Sequence, residues 1–445
     1  MKKYIIFIIV FAVFFACAEK SDWKPIFNGK DLTGFKQLDG QAVFKIENGE
    51  LIGVATPGTP NSFMATEEEF GDFILEYETK VDSAFNSGSQ IRSHQKDGKR
   101  VYGYQYEIDP TDRGWSGGIY DEARRGWLYP VTVYNPEVKN TFKYNEWNTC
   151  RIEAIGNRIT TWLNGVPISD LIDDTDSKGF IAFQVHSVPK EAEGKEVRWR
   201  DIRIITENLD KHSQQNTVNI YQANRVSNTI STQEQAEGWR LLWDGKTTEG
   251  WRGAHAETFP DKGWTIKDGV LSVEPSGGAE SQNGGDIVTN EEFSDFELTL
   301  EFKITKGANS GIKYFVTEGY TTSGSAIGLE YQILDDREHP DAKMGKDGNR
   351  TLASLYDLIP AKNKRFNGVE QWNYARIISK GKHVEHWLNG FKNLEYERGS
   401  EKYHNIVKES KYKDFVNFGE AEAGHILLQD HGDAVSFYSI KIRTF

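Results

Sequence analysis

The stretch Tyr104-Gln105-Tyr106-Glu107-Ile108-Asp109 carries three polar side chains at a spacing of two. In an extended chain that spacing sends Gln105, Glu107 and Asp109 to one face and Tyr104, Tyr106 and Ile108 to the other. Two carboxylates and an amide aimed the same way form either a solvated sandwich face or the floor of a cleft, where a carboxyl group can act as acid, base or ligand. Farther along, Glu330 and Gln332 share a face against Tyr331 and Ile333 in the same manner. The same parity sets Gln184 beside His186 and Gln429 beside His431. A histidine in such a place is either structural or an acid, base or metal ligand near neutral pH.

The segment from Gly114 to Trp127 is too glycine-rich for a strand and too aromatic and charged for an inert loop, and it contains the pair Tyr120-Asp121. Loops of this makeup tend to bind something. Tyr356-Asp357 repeats the pair, whose other reading is a hydrogen bond at a strand edge. Asn86-Ser87-Gly88 leads into Gln90 and Arg92, whereas Asn309-Ser310-Gly311 leads into Lys313 and Phe315. The asparagine reads as a turn former and the small residues as room for close backbone approach. Arg92 suits an anion or an enolate, or else a surface ion pair. His339 and His386 appear only in the later part of the chain. Metal-ligand spacings, phosphate loops and nucleophile elbows are absent from the sequence, so any metal site must assemble in space, and a divalent metal stays open as a cofactor.

What positions these residues is one unit written twice. Phe27-Asn28-Gly29-Lys30 returns as Trp243-Asp244-Gly245-Lys246 at an offset of 216, Asn86-Ser87-Gly88 at 223, Trp162-Leu163-Asn164-Gly165 as Trp387-Leu388-Asn389-Gly390 at 225, and Gln184 with His186 at 245. Order is kept while the offset grows by insertion, which marks a duplication. The copies are placed at 22–206 and 238–445, with the polar stretch 207–237 between them as a linker or weakly packed connector. Short alternating runs predict strands over 73–81, 102–109, 151–155, 159–163 and 180–185, matched by 296–304, 329–334, 375–379, 383–388 and 425–429. Asn164-Gly165 and Asn389-Gly390 suit hairpin turns. Long helical patterns are missing, and the fold class is all-β, two jelly-roll β-sandwiches in tandem.

The chain of 445 residues is too long for one core. Its net charge of −13 argues against nucleic acid or an anionic membrane surface as partner. Lys2 and Lys3, an apolar run from Tyr4 to Ala16 and then Cys17 read as a lipoprotein signal peptide over 1–16 with Cys17 as the lipidated residue. That places the protein in the cell envelope, periplasmic or on the outer-membrane surface, held to a membrane only by its lipid. With Cys17 committed, Cys150 has no internal partner and stability must come from packing.

Phe27-Asn28-Gly29-Lys30-Asp31-Leu32-Thr33-Gly34-Phe35, the run Gly117 to Trp127, Trp162-Leu163-Asn164-Gly165-Val166 and Gln184-Val185-His186 resemble the 3-keto-disaccharide hydrolase family, formerly a domain of unknown function common in Bacteroidetes lipoproteins. The second copy resembles another branch through Leu329 to Asp336, Ser354 to Ile359, Val384 to Gly390 and Leu428 to Asp433. The resemblance implies a concanavalin- or laminin-G-like sandwich and a lyase or hydratase acting on 3-keto-glucosides. A ketone at C3 acidifies the C2 proton, and the enolate left by a base can expel the aglycone from C1. On that footing His186 is the expected base in the first copy and His386 or His431 in the second. Glu107, Asp109 and Glu330 are expected as acid or ligand, and Gln184, Gln429, Tyr120 and Tyr356 as holders of sugar hydroxyls. Two other readings remain, a non-catalytic carbohydrate-binding protein and a laminarinase-like glycosidase using Glu107 with Asp109.

Overall fold

The computed structural model describes residues 22–82, 85–109, 111–321 and 324–445, so Cys17 lies outside the described residues. Strands dominate, and among the described residues the longest helix, Glu401–Lys408, has eight residues. In the first half a nine-stranded sheet runs through Gln222–Asn224, Val166–Ile172, Arg158–Leu163, Asn148–Ile155, Phe73–Val81, Glu196–Ile205, Glu50–Val54 and Val43–Glu47, with Lys24–Pro25 added on Glu196–Ile205. A seven-stranded sheet packs against it in the order Gly126–Tyr129, Ile119–Glu122, Arg100–Ile108, Ser87–Lys96, Gly179–Val185, Ser62–Phe70 and Phe35–Asp39. The second half repeats the plan with an eight-stranded sheet and a five-stranded one, the latter ordered Trp251–Gly253, Ile287–Thr289, His425–Leu428, Asn309–Thr317 and Ile327–Leu334. Both halves are therefore all-β sandwiches.

The cores follow from the alternation. Tyr77, Tyr104, Tyr106, Phe183 and Trp199 are buried between the sheets of the first sandwich, and Phe296, Tyr314, Tyr331, Ile377 and Phe437 between those of the second. Runs 73–81, 296–304 and 383–388 are strands over the residues expected. Two expectations fail. The glycine-rich segment contains two strands, Ile119–Glu122 and Gly126–Tyr129, because Gly114, Gly117 and Gly118 precede the first strand and Gly126 only opens the second, which leaves the aromatic residues free to pair. The helix Glu401–Lys408 was missed; it sits in a second-half insertion and is capped by Ser400, whose Oγ accepts from the Tyr403 N–H.

The polar connector is ordered and packed on both sandwiches. Ser213 Oγ donates to the buried Glu153 (2.7 Å), and Gln222 Nε2 donates to the buried Asp170 (3.0 Å). Gln222–Asn224 adds a parallel strand to Val166–Ile172. Beyond it Asn228 exchanges hydrogen bonds with Ser439 and donates to Gly269 O, while Glu234 accepts from Asn224 Nδ2 and from Lys441 Nζ, 2.8 Å each. Its amides and hydroxyls satisfy buried carboxylates, which is why so polar a stretch packs. The sandwiches also touch directly: Phe391 lies 5.9 Å from Trp115, centroid to centroid, at 43°.

Candidate active site

Strand pairing lines up the polar residues in rows across the outer face of each smaller sheet. In the first sandwich one row is Ala182, Gln90, Gln105 and Tyr120, and the next is Phe63, Gln184, Gly88 and Glu107. In the second they become Leu427, Lys313, Glu330 and Tyr356, then Gln429, Gly311 and Gln332. Register thus equates Gln90 with Lys313, Gln105 with Glu330 and Glu107 with Gln332. The carboxylate has moved by two residues along its strand, about 7 Å, and an amide stands where it stood. The two floors share a frame and differ in where charge lies.

In the first sandwich the floor is one chain of hydrogen bonds. Ser93 Oγ donates to Gln90 Oε1 (2.7 Å), Gln90 Nε2 to Gln105 Oε1 (2.6 Å), and Gln105 Nε2 to Glu107 Oε2 (2.7 Å). Asn86 Nδ2 donates to the other oxygen, Glu107 Oε1, at 2.5 Å. Asn86 is thus a site residue and not only a turn former. Gly88 is required beside it, since a Cβ there would meet the Gln105 side chain at 2.8 Å. Burial pushes the Glu107 carboxyl up to about 7, against the pull of the Asn86 and Gln105 donors, so it can hold or release a proton near neutrality. Tyr120 meets Trp127 edge-on at 5.2 Å, and Trp127 meets Trp115 at 4.5 Å under the Arg113 guanidinium. The Gln184 amide is buried with neither polar atom hydrogen-bonded. His186 lies at the strand end, its Nδ1 2.6 Å from Ser187 O.

In the second sandwich the floor forms the base of a cavity of about 240 Å³. Lys313, Glu330, Gln332, Tyr356, Gln429 and His431 line it from below. Lys411, Tyr412 and Phe415 wall it from the insertion that carries the helix. Lys313 Nζ donates to the buried Asp286 (3.2 Å) and to Ala326 O (3.1 Å). Burial raises the Glu330 carboxyl above the ordinary carboxylate range, and Lys313 opposes the shift. The Gln332 amide is satisfied when its nitrogen donates to Glu330 Oε1 (3.1 Å) and Ser310 O (2.9 Å). Tyr356 Oη donates to Asp341 (2.7 Å). The Lys411 ammonium stands over the Tyr356 and Tyr412 rings at 4.1 and 5.1 Å.

Five residues expected at the sites are engaged elsewhere. Arg92 is fully buried, donating to Gly71 O and Gly156 O (2.8 Å each), to Ala154 O (3.1 Å) and to Asp72 (2.8 Å). A β-bulge at Arg92, with φ of 44°, turns the side chain through to the opposite sheet and breaks the alternation that would have put it beside Gln90. His386 is also between the sheets, its Nε2 2.8 Å from Tyr314 Oη and its Nδ1 3.1 Å from Ala353 O, and burial drives its pKa down to about 3. Asp109 clamps its own loop through Arg113 Nε (2.7 Å), Thr111 Oγ1 (2.8 Å) and the Trp115 N–H (3.3 Å). Asp121 is buried against Arg124 and Arg125. Asp357 accepts from Arg350 Nε (2.6 Å) and the Lys411 N–H (2.7 Å). Strand parity turns Asp121 away from the face Tyr120 occupies, whereas Asp357 lies in a turn, at a φ of 58°.

Asn86, Asn309, Lys313, Lys411 and Tyr412 were missed as site residues. Register against the first copy could have exposed Lys313, whereas Lys411 and Tyr412 lie in an insertion with no counterpart to align. One further group assembles at the cavity's end: a nitrogen each from His339 and His431 and an oxygen of Asp433 lie within 4.8 Å of one another.

A family model described as the 3-keto-alpha-glucoside-1,2-lyase-like domain matches residues 22–205 and again 238–443. A 3-keto-disaccharide hydrolase of Bacteroides thetaiotaomicron is 39% identical over 231 residues, which cover 47% of this chain and 79% of that protein. Among solved structures, a candidate glycosyl hydrolase from Parabacteroides distasonis is 29% identical, covering 49% of this chain and all of its own, with a TM-score of 0.43. A second from the same organism is 26% identical over 46% of this chain and 99% of its own, with a TM-score of 0.36.

Proposed function

The chain belongs to the 3-keto-alpha-glucoside-1,2-lyase-like family, twice along its length, and from that premise we propose that it cleaves 3-keto-glycosides at the C1–oxygen bond. The observation that carries the reading is a buried carboxyl of raised proton affinity in the floor of a polar cavity, Glu330 beside Lys313. A ketone at C3 makes the C2 hydrogen acidic. Glu330 removes that proton, the ammonium groups of Lys313 and Lys411 face the charge developing on the enolate oxygen, and the C1–O bond breaks as the double bond forms between C1 and C2. The proton now on Glu330 is available to the departing oxygen, so the products are an enone and the free alcohol. Addition of water to the enone then completes hydrolysis.

In this reading Glu330 takes the role expected of His386 or His431: His386 lies in the core, and His431 stands at the cavity's end beside His339 and Asp433. In the first sandwich the carboxyl, Glu107, stands two residues farther along the matching strand, at the place of Gln332, with amide donors in place of ammonium groups. The paired-carboxylate glycosidase reading loses its second member, because the oxygens of Asp109 are engaged by Arg113, Thr111 and Trp115.

The test is to incubate the protein with a 3-keto-glucoside deuterated at C2 and follow aglycone release. Turnover with loss of the label and a primary isotope effect is expected, and Glu330→Gln should lower the rate by roughly 10²- to 10⁴-fold. Retention of the C2 label, or equal action on the unoxidised glycoside, would sink the mechanism. Envelope anchoring belongs to the same proposal: Cys17→Ser should move the protein from the membrane to the soluble fraction of its host, and an unchanged distribution counts against the lipid.

A further inference from the structure

The group His339, His431 and Asp433 has no equivalent in the first sandwich. The position of His431 is held there by His186, but Val188 stands where Asp433 does, and His339 belongs to an insertion. The three side chains come from two segments, the loop after Ile327–Leu334 and the turn after His425–Leu428. The two imidazoles meet edge-on at 5.8 Å. His431 Nδ1 is buried with no hydrogen-bond partner, while its Nε2 faces Glu280 at 4.0 Å. That is the disposition of a ligating imidazole, with one nitrogen free for a cation and the other directed at a carboxylate. Asp433 is oriented by the Asn309 N–H, which donates to its Oδ2 at 3.0 Å. His339 Nδ1 accepts from the Asp341 N–H at 3.2 Å, which orients its ring.

We infer that His339, His431 and Asp433 hold a divalent first-row transition cation at the end of the second-sandwich cavity. Two imidazoles and one carboxylate suit such ions and leave coordination positions open. Because His431 also lines the cavity, those open positions face the space where a sugar would lie. There the cation would meet vicinal oxygens such as the C3 carbonyl and C2 hydroxyl. Binding of the ion stands on these residues alone; only its role rests on the proposed function.

A second cluster supplies the control. His383, Glu385 and Glu395 also lie within 4.8 Å, but Lys392 Nζ already bridges the two carboxylates at 3.3 and 2.7 Å. The metal-stripped full chain is titrated with Co²⁺ without sugar, reading visible d–d absorption and stoichiometry. One Co²⁺ per chain is expected. His431→Gln and Asp433→Asn should each weaken binding roughly tenfold or more, with thermal melts confirming the fold, while His383→Gln and His186→Gln leave it unchanged. Binding indifferent to His431 and Asp433, binding lost in His383→Gln, or no binding overturns the site. Tight binding that needs these ligands, in a protein inert toward every 3-keto-glycoside, keeps the site and removes the proposed function.

Discussion

Glu107 shows how far one side chain's surroundings can be read. Its alternation with Gln105 was legible in the sequence; the Asn86 donor was not, because it comes from the segment just before the neighbouring strand Ser87–Lys96. Its pKa of about 7 against an ordinary 4.5 has a consequence for stability. Below pH 4.5 both folded and unfolded chains hold the proton, so nothing is gained or lost. Between 4.5 and 7 only the folded chain does, and stability falls as pH rises, leaving a penalty of up to about 3 kcal/mol above pH 7. Glu107→Gln should therefore match the parent near pH 4.5 and gain on it toward pH 8, as urea melts at the two pH values would show. Arg92→Ala should cost about 2–4 kcal/mol by orphaning buried carbonyls, while leaving KM unaltered below the melting point. A large KM change would put Arg92 back at the site.

At the scale of the element, strands were legible wherever alternation ran unbroken, and failed where a bulge shifted it. Phe315 repeats the bulge of Arg92, with φ of 51°, so both copies keep the same irregularity with unrelated side chains. A single residue out of step is invisible to a period of two. The insertion in 398–424 was illegible for a different reason: its helix is short and its wall residues have no partner copy to align with. In the first sandwich the equivalent link is the short stretch 173–178. Tyr412→Ala with Phe415→Ala should open the second cavity and raise KM by roughly tenfold or more, given the apolar area such side chains supply. The melting temperature should fall as well, because Tyr412 is buried and stacked on Phe418 at 4.0 Å, so KM is measured well below the melt. An unchanged KM would show that the wall does not touch the sugar.

Across the whole molecule, the connector turns two sandwiches into one body. Arg225 at its centre lies over the Tyr374 ring at 5.0 Å and 4.0 Å from Glu301, and Tyr221 stacks on Tyr134 at 4.6 Å. Composition concealed this, because glutamines, asparagines and serines read as solvated until their buried carboxylate partners are seen. Calorimetry of the intact chain should give a single transition, and Arg225→Ala should separate it into two. Two resolved transitions in the parent would contradict the coupling.

Trp115 stands at the rim of the first floor and leans on Phe391 of the other half. A residue from one gene copy therefore props the aromatic edge of its sister's basin, so the two repeats are no longer interchangeable parts. Excising either one, swapping their order or grafting one onto a foreign scaffold would leave that edge without its backing. Any drift in the hairpin around Phe391 is felt across the boundary, which ties the sequence histories of the two halves together.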